Sequence, residues 1–459
     1  MTILEKMLKL NTYIHSGNIK QYISDINLLK TKLDKEISDI EKERIVNSIK
    51  DAIHKEANKA LSIAQNWGSV YMATGTGKTK MAIMKISNLL AHNYKAKVLV
   101  VVPTIRLRDN GWKEECIKWY SDGQVVWDNS ITIECYASLA KIKDKHYDLV
   151  ILDEGHNLNE NNSIFFKNNK VDNCILMTAT QPNKERMKIL ISLKLNAVYS
   201  ITVDEATLLG IIAPYEITIV TVPLDDKDEY ITVGSKIKGY RQTTEMKNYL
   251  YLTNNRFRGY MGLIKRMQFI GSLKSKTEAT KYILSLIPDT LRTLIFCGSK
   301  KQANEVCPYR HYSKPSPPSK KKLQEKATEN AYNKYNEELE QYNRDIFIYN
   351  NTVVNMLDRF IDEEINKLSC VEALNEGQNL PNIDIGLVAQ LNSKQLTFIQ
   401  RLGRIIRYRV GHTGKIIIVC ASETEDWNWV KKALKGLDMS KIRYISLEDL
   451  KNGKESLNL

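Results

Sequence analysis

The run Ala73-Thr74-Gly75-Thr76-Gly77-Lys78-Thr79 follows the apolar stretch Val70-Tyr71-Met72 and precedes Met81-Ala82-Ile83-Met84. That order reads as a strand, a glycine loop and the start of a helix. Glycines let backbone N–H groups approach phosphate oxygens, a helix N-terminus adds partial positive charge, and a lysine at its start reaches the outer phosphates. Thr74, Gly75, Thr76, Gly77, Lys78 and Thr79 are therefore the expected polyphosphate-binding set, with the Thr79 hydroxyl available to Mg²⁺. The usual pattern carries a glycine five residues before Gly77, where this chain has Met72. A second constellation is Leu149-Val150-Ile151-Leu152 followed by Asp153, Glu154, Gly155 and His156. Adjacent carboxylates at the tip of a buried strand are hard to account for by packing. Beside a phosphate loop, Asp153 can hold Mg²⁺ through water and Glu154 can polarise an attacking water. His156, directly after the acids, is placed to link that site with its surroundings.

The elements that must position these residues are legible as periodicities. Val98 to Val102, Ile131 to Cys135, Leu149 to Leu152 and Cys174 to Met177 are short continuous apolar runs separated by helical stretches, as parallel strands buried on both faces require. A second such series runs through Glu216 to Val222, Thr293 to Cys297, Ile385 to Ala389 and Lys415 to Cys420. The expected fold is thus α/β, with residues 66–215 as a first domain and 216–459 as a second. Residues 1–65 read as helical, with Ile45, Ile49 and Ile53 at fourfold spacing, and pack on the next domain or on a protein partner. No chemistry is visible in them. Within the second domain, residues 225–288 read as a polar helical region. A Pro/Lys/Tyr-rich insertion spans about 313–350, whose tyrosines either pack on their own domain or stack bases.

Composition narrows the class. The chain has 459 residues, enough for two or three domains, and 43% are hydrophobic, as in ordinary globular proteins. Its apolar runs have strand length rather than membrane-spanning length, and Met1-Thr2-Ile3-Leu4-Glu5-Lys6 lacks a signal-peptide core. The seven cysteines show no ligand spacing, which argues for buried thiols in a reducing cytoplasm. A net charge of +14 favours a polyanionic partner, although abundant Asn, Lys and Ile also follow from an AT-rich gene, as in phages and low-GC bacteria.

Taken in order, Ala-Thr-Gly-Thr-Gly-Lys-Thr, Asp-Glu-Gly-His, Thr178-Ala179-Thr180 and Gln400-Arg401-Leu402-Gly403-Arg404-Ile405-Ile406-Arg407 resemble motifs I, II, III and VI of superfamily 2 helicases. Val101-Val102-Pro103-Thr104 resembles motif Ia, Thr293 to Ser299 motif IV, and Leu374 to Pro381 motif V. The resemblance covers roughly residues 66–430 and is closest to phage helicases and to type I and type III restriction-enzyme motors of DExH form. It implies two tandem RecA-like domains with ATP and Mg²⁺ between them. It also implies roles: Lys78 and Thr79 on phosphates and metal, Asp153 and Glu154 on metal and water, and Gln400, Arg404 and Arg407 reaching from the second domain. Arg407 is the expected arginine finger, and Gly403 is expected to turn the backbone toward the cleft. His156, Thr178 and Thr180 would couple the nucleotide site to nucleic acid. Pro103, Thr104, Arg106, Gly298, Ser299 and Gly377 fall where the family holds the sugar–phosphate backbone.

Departures from the family pattern are specific. An Arg-Pro-Tyr-Gln element, whose glutamine reads adenine, is absent upstream of the loop, and Gln65 stands too close to serve. Asn379 takes the place of an Asp in motif V, and the familiar Gln-Trp pair is blurred to Asn110-Gly111-Trp112, with Trp112 expected to be a packing residue. The resemblance implies an ATP-dependent DNA helicase or translocase in replication, recombination or repair. The alternatives are a restriction-type motor subunit, an RNA helicase, or an ATP-switched nucleic-acid clamp without unwinding activity.

Overall fold

A computed structural model describes residues 38–120, 127, 130–180, 182–225, 229–230, 242–253, 260–318, 329–371, 380, 382–391 and 395–459. The chain forms two compact units: one holds the described residues up to Pro214 together with Ile399–Thr413, and the other holds the rest from Tyr215. The segment carrying Gln400, Arg404 and Arg407 therefore groups with the first unit, although it follows most of the second in sequence.

The first unit is built on six parallel strands: β1 (Trp67–Met72), β2 (Val98–Val102), β3 (Ile131–Cys135), β4 (Leu149–Leu152), β5 (Cys174–Thr178) and β6 (Ala197–Ile201). They lie in the order β3-β2-β4-β5-β1-β6. Every residue of β2, Val-Leu-Val-Val-Val, is buried, as an interior strand covered by helices on both faces must be. Each such side chain contributes roughly 1.5–3 kcal/mol on leaving water. Leu99, Val101, Leu152 and Leu176 join Phe165 and Leu190 in one core.

Helix α1 (Asp39–Ile63) opens with a reciprocal cap between Ser38 and Glu41 and buries Ile45, Val46, Ile49, Ile53, Ala57 and Leu61. This stripe packs on helix α2 (Lys78–His92) and on β6, so α1 is an integral layer of the first unit. Helix α3 (Trp112–Trp119) follows β2 through a five-residue π turn, Leu107–Gly111.

The second unit carries seven parallel strands: β7 (Tyr215–Val222), β8 (Thr293–Phe296), β9 (Arg310–Tyr312), β10 (Lys367–Val371), β11 (Ile385–Val388), β12 (Gly414–Ala421) and β13 (Ile442–Ser446). Their order is β9-β10-β8-β11-β12-β7-β13. Val220, Ile295, Leu387, Ile417 and Val419 form its core with Ala279 and Ile283 from the helix Lys274–Leu286. The tyrosine-rich stretch forms helix α4 (Glu329–Thr352). Tyr332 is half exposed, and Tyr349 pairs with Tyr312 at a ring separation of 6.3 Å. Glu329, Glu337, Glu338, Glu340 and Asp345 outnumber Lys334 and Arg344 in the sequence of α4. Helix α5 (Gln395–Ile405) carries the chain from the second unit back into the first. Among the described residues, no helix is long and apolar enough to cross a membrane.

Candidate active site

β1 ends at Met72, and the loop that follows reaches α2 through Gly75 and Gly77, both at φ +88°. The Thr76 hydroxyl donates to Ala73 O at 2.7 Å, which closes the loop on itself. The first residue of α2 is Lys78, buried, with Nζ donating to Met72 O at 3.2 Å. Met72 thus accepts the lysine through its carbonyl at the position where a glycine was expected. Gly77 offers no side-chain cap, so the N–H groups opening α2 are presented to whatever occupies the loop. Thr79 is half-buried in the first turn.

Asp153 follows β4 and is only 7% exposed. Its N–H donates to Val101 O at 2.9 Å, its Oδ1 accepts the Glu154 N–H at 3.0 Å, and its Oδ2 accepts the Trp112 indole N–H at 2.9 Å. Glu154 adopts the left-handed conformation at φ +48°, a strained choice for a glutamate and common where chemistry dictates side-chain direction. A Cβ at the next residue, Gly155, would lie 2.1 Å from Leu176 Cγ, so only glycine lets this turn rest on β5. His156 Nδ1 lies 3.3 Å from both Glu154 Oε2 and Thr178 Oγ1, while Nε2 accepts from the Asn157 amide at 3.2 Å. Thr180 N–H reaches Thr178 Oγ1 at 3.5 Å. The acids and the expected coupling set are therefore one continuous group along the C-terminal edge of the first sheet, where open α/β sheets bind ligands.

The two carboxylates titrate in opposite directions. Burial first, and then the charge of Glu154, push the Asp153 carboxyl up, against the indole hydrogen bond and Lys78. Burial also raises Glu154, but Lys78, His156 and Arg404 outweigh it and hold that carboxyl below its ordinary value. Glu154 is accordingly the member kept ionised by its surroundings, and its buried Oε2 faces His156 Nδ1 at 3.3 Å. The donors also fit a hard cation. Each Asp153 oxygen accepts one hydrogen bond and keeps a lone pair, and the Thr79 hydroxyl stands at the helix start.

Gln400, Arg401 and Arg404 are buried on α5, and Arg404 is close enough for its charge to act on Glu154. Arg407 lies beyond the helix end, where Ala213 N–H donates to Ile406 O at 2.8 Å. Burial lowers its pKa, Glu115 opposes that shift, and its charge acts on Lys50 of α1. The expected backbone turn at Gly403 is absent, because this residue sits inside α5. A Cβ there would lie 2.2 Å from Thr74 Cβ, so the glycine allows close approach of helix and phosphate loop instead.

Residues outside the sequence-based set support the site. His54 of α1, fully buried, lies with Nε2 2.7 Å from Thr76 O; since a carbonyl only accepts, the ring N–H donates. Lys80 pairs with Asp51 at 2.6 Å, and the Asn58 amide donates to Met81 O at 3.4 Å. The helix that showed no chemistry in sequence is the backing of the phosphate loop. Trp112, expected only to pack, also holds a catalytic-candidate carboxylate. A helical stripe conceals a contact of this kind, because periodicity marks which face is buried and not what it touches.

Pro103 and Thr104 are half-buried and Arg106 exposed after β2, with Thr104 O accepting Arg108 N–H at 3.1 Å. In the second unit, Gly298 N–H donates to Gln302 Oε1 at 2.8 Å, and Ser299 Oγ accepts Gln302 N–H at 3.1 Å as a helix cap. That acceptor role is a structural one beyond the expected phosphate contact. Gly377 and Asn379 lie outside the described residues.

Residues 34–183 match the family model described as type III restriction enzyme, res subunit. No curated protein matches the chain. Similar solved structures include a fragment of a putative HsdR subunit of a type I restriction enzyme from Vibrio vulnificus YJ016, at 17% identity and TM-score 0.51, covering 87% of this chain and 68% of that one. The ATP-dependent type ISP restriction-modification enzyme LlaBIII bound to DNA has 15% identity and TM-score 0.50, covering 86% of this chain, which spans 31% of LlaBIII. Dbp5 of S. cerevisiae bound to RNA and ADP BeF3 has 13% identity and TM-score 0.49, covering 88% and 91%. Residues 34–183 are thus similar to a restriction-enzyme res subunit, and the tandem parallel-sheet α/β fold of the chain is the one these restriction-enzyme structures share.

Proposed function

We propose that the protein hydrolyses ATP with Mg²⁺ to move along DNA, as a helicase or double-strand translocase. The observation that carries this reading is the convergence, on one sheet edge, of Lys78, the Asp153–Glu154 pair and the buried Arg404 whose charge acts on Glu154. Lys78 and the N–H groups opening α2 bind the phosphates. Asp153 and Thr79 would hold Mg²⁺, which when bound neutralises phosphate charge. Glu154, kept ionised by Lys78, His156 and Arg404, orients the attacking water and takes its proton. Arg404 and Arg407 stabilise charge spread over the transferring phosphoryl oxygens. The His156–Thr178 contact passes the state of Glu154 toward Thr180, and Pro103, Thr104 and Arg106 hold the nucleic-acid backbone without reading bases.

DNA is favoured over RNA because the matched family and LlaBIII are restriction enzymes, and LlaBIII is bound to DNA. The same match supports a second reading, a motor subunit of a restriction system. The test is ATP turnover with single-stranded DNA, duplex DNA and RNA, followed by strand displacement and triplex displacement. DNA-stimulated turnover that falls about 100-fold or more in Lys78→Ala is expected. Turnover indifferent to every nucleic acid overturns the motor, and turnover without either displacement assigns a switched clamp instead.

A further inference from the structure

We propose that Trp112 is a positioning residue for Asp153 and ties the orientation of that carboxylate to the surface segment Pro103–Arg106. The inference rests on the assignment of Asp153 to the cation above. Trp112 is 1% exposed, and its single polar atom, the indole N–H, donates to Asp153 Oδ2 at 2.9 Å across 41 positions of sequence. The Glu154 N–H takes the other oxygen at 3.0 Å. A carboxylate gripped at both oxygens by fixed donors cannot rotate about its terminal bond without abandoning a buried charge-assisted hydrogen bond. Its remaining lone pairs then keep one direction.

The local backbone is built for this contact. Residues Leu107–Gly111 form a π turn closed by Trp112 N–H on Leu107 O. One extra residue in a turn rotates everything after it by about 100° relative to a regular helix. This rotation sets position 112 on the face that meets the tip of β4. π turns of this length are rare and concentrate at functional sites. At its other end the same turn is anchored to Thr104, whose Oγ1 accepts Leu107 N–H at 3.4 Å and whose O accepts Arg108 N–H at 3.1 Å. Thr104 and the exposed Arg106 are themselves proposed backbone contacts, so the anchor of the turn is part of the proposed nucleic-acid surface. A nucleic-acid strand that shifts Thr104–Arg106 therefore moves the indole, and with it the Asp153 carboxylate, through one helical turn.

The full chain is tested with Mn²⁺ and ADP, following free Mn²⁺ by electron paramagnetic resonance, and with fluorescent ADP in the absence of metal. Trp112→Phe keeps the ring and removes the donor. Mn²⁺ affinity of the ADP complex is expected to fall about tenfold, metal-free ADP affinity to stay within twofold, and the DNA-stimulation factor of ATP turnover to shrink. In an Asp153→Ala background, Trp112→Phe should have no further effect on Mn²⁺. Unchanged Mn²⁺ affinity in Trp112→Phe, or an equal loss with and without Asp153, overturns the inference. Should Trp112→Phe not fold, the wild-type chain labelled with ¹⁵N-tryptophan serves. One of its six indole signals should move upfield in Asp153→Ala, and six unmoved signals overturn the contact. Wild-type and Asp153→Ala chains binding Mn²⁺·ADP equally would instead overturn the metal assignment, leaving the indole shift to report on Trp112 separately.

Discussion

At the scale of single residues, the site depends on groups whose protonation is set by burial. His54 is the sharpest case: burial holds its imidazole below the ordinary value of 6.5, against the Thr76 carbonyl and Asp51. Between the depressed folded pKa and 6.5 the unfolded chain binds more protons than the folded one, so stability falls as pH drops below about 6.5. His54→Gln keeps a donor for Thr76 O but does not titrate. Thermal melting from pH 7 to pH 5 should show a steeper fall for the wild type than for this variant; parallel curves would count against a neutral His54 in the fold. The acid pair and its two roles, Asp153 for the cation and Glu154 for the water, were readable in sequence, but the ionisation of each carboxyl was not. Which carboxylate stays ionised depends on Lys78, His156 and Arg404 converging on Glu154, from positions scattered over the whole chain.

At the scale of elements, α1 and α5 both lean on the phosphate loop, one through His54 and the other through Gly403. Helix propensity alone favours Gly403→Ala by about 1 kcal/mol, yet its Cβ would meet Thr74 at 2.2 Å. The expected outcome is a weaker phosphate site in an intact helix: fluorescent-ADP affinity falling about tenfold with unchanged far-UV circular dichroism. Recovery in Gly403→Ala/Thr74→Ser would locate the clash at the threonine methyl, and undiminished affinity in Gly403→Ala would refute the close approach. The elements themselves were unevenly legible. β2, β4 and β5 are covered on both faces and read as unbroken apolar runs. β6, β9 and β13 are edge strands with mixed burial, so their sequences alternate weakly and escape notice. β10 is interior, but its Lys-Leu-Ser-Cys-Val breaks the apolar run with a buried serine that donates to Ala303 O at 3.2 Å.

At the scale of the whole molecule, the net charge of +14 would make counterion release a large part of the proposed nucleic-acid binding. Affinity for duplex DNA should fall at least about 100-fold between 50 and 200 mM salt, with a linear log–log slope. Fluorescence anisotropy with duplexes of unrelated sequence checks this, and a flat salt response would remove the polyanion from the account. The charge is unevenly spread, since α4 is net acidic, and removal of α4 should not flatten that slope.

The sequence by itself determined the fold class and marked the candidate site, because buried parallel strands and motif order are both written locally: a glycine loop before a helix, acids at a strand tip, Gln-x-x-Gly-Arg-x-x-Arg far downstream. Only the tertiary structure decided the company those residues keep. It returned the segment Ile399–Thr413 to the first unit, gave Gly403 a packing role in place of a turn, and set His54 and Trp112 against the loop and the acid. The physical reason is that a hydrogen bond such as that from Trp112 to Asp153 joins residues 41 positions apart. Sequence periodicity records that a side chain is buried, while the partner it meets is set by how sheets and helices close around it.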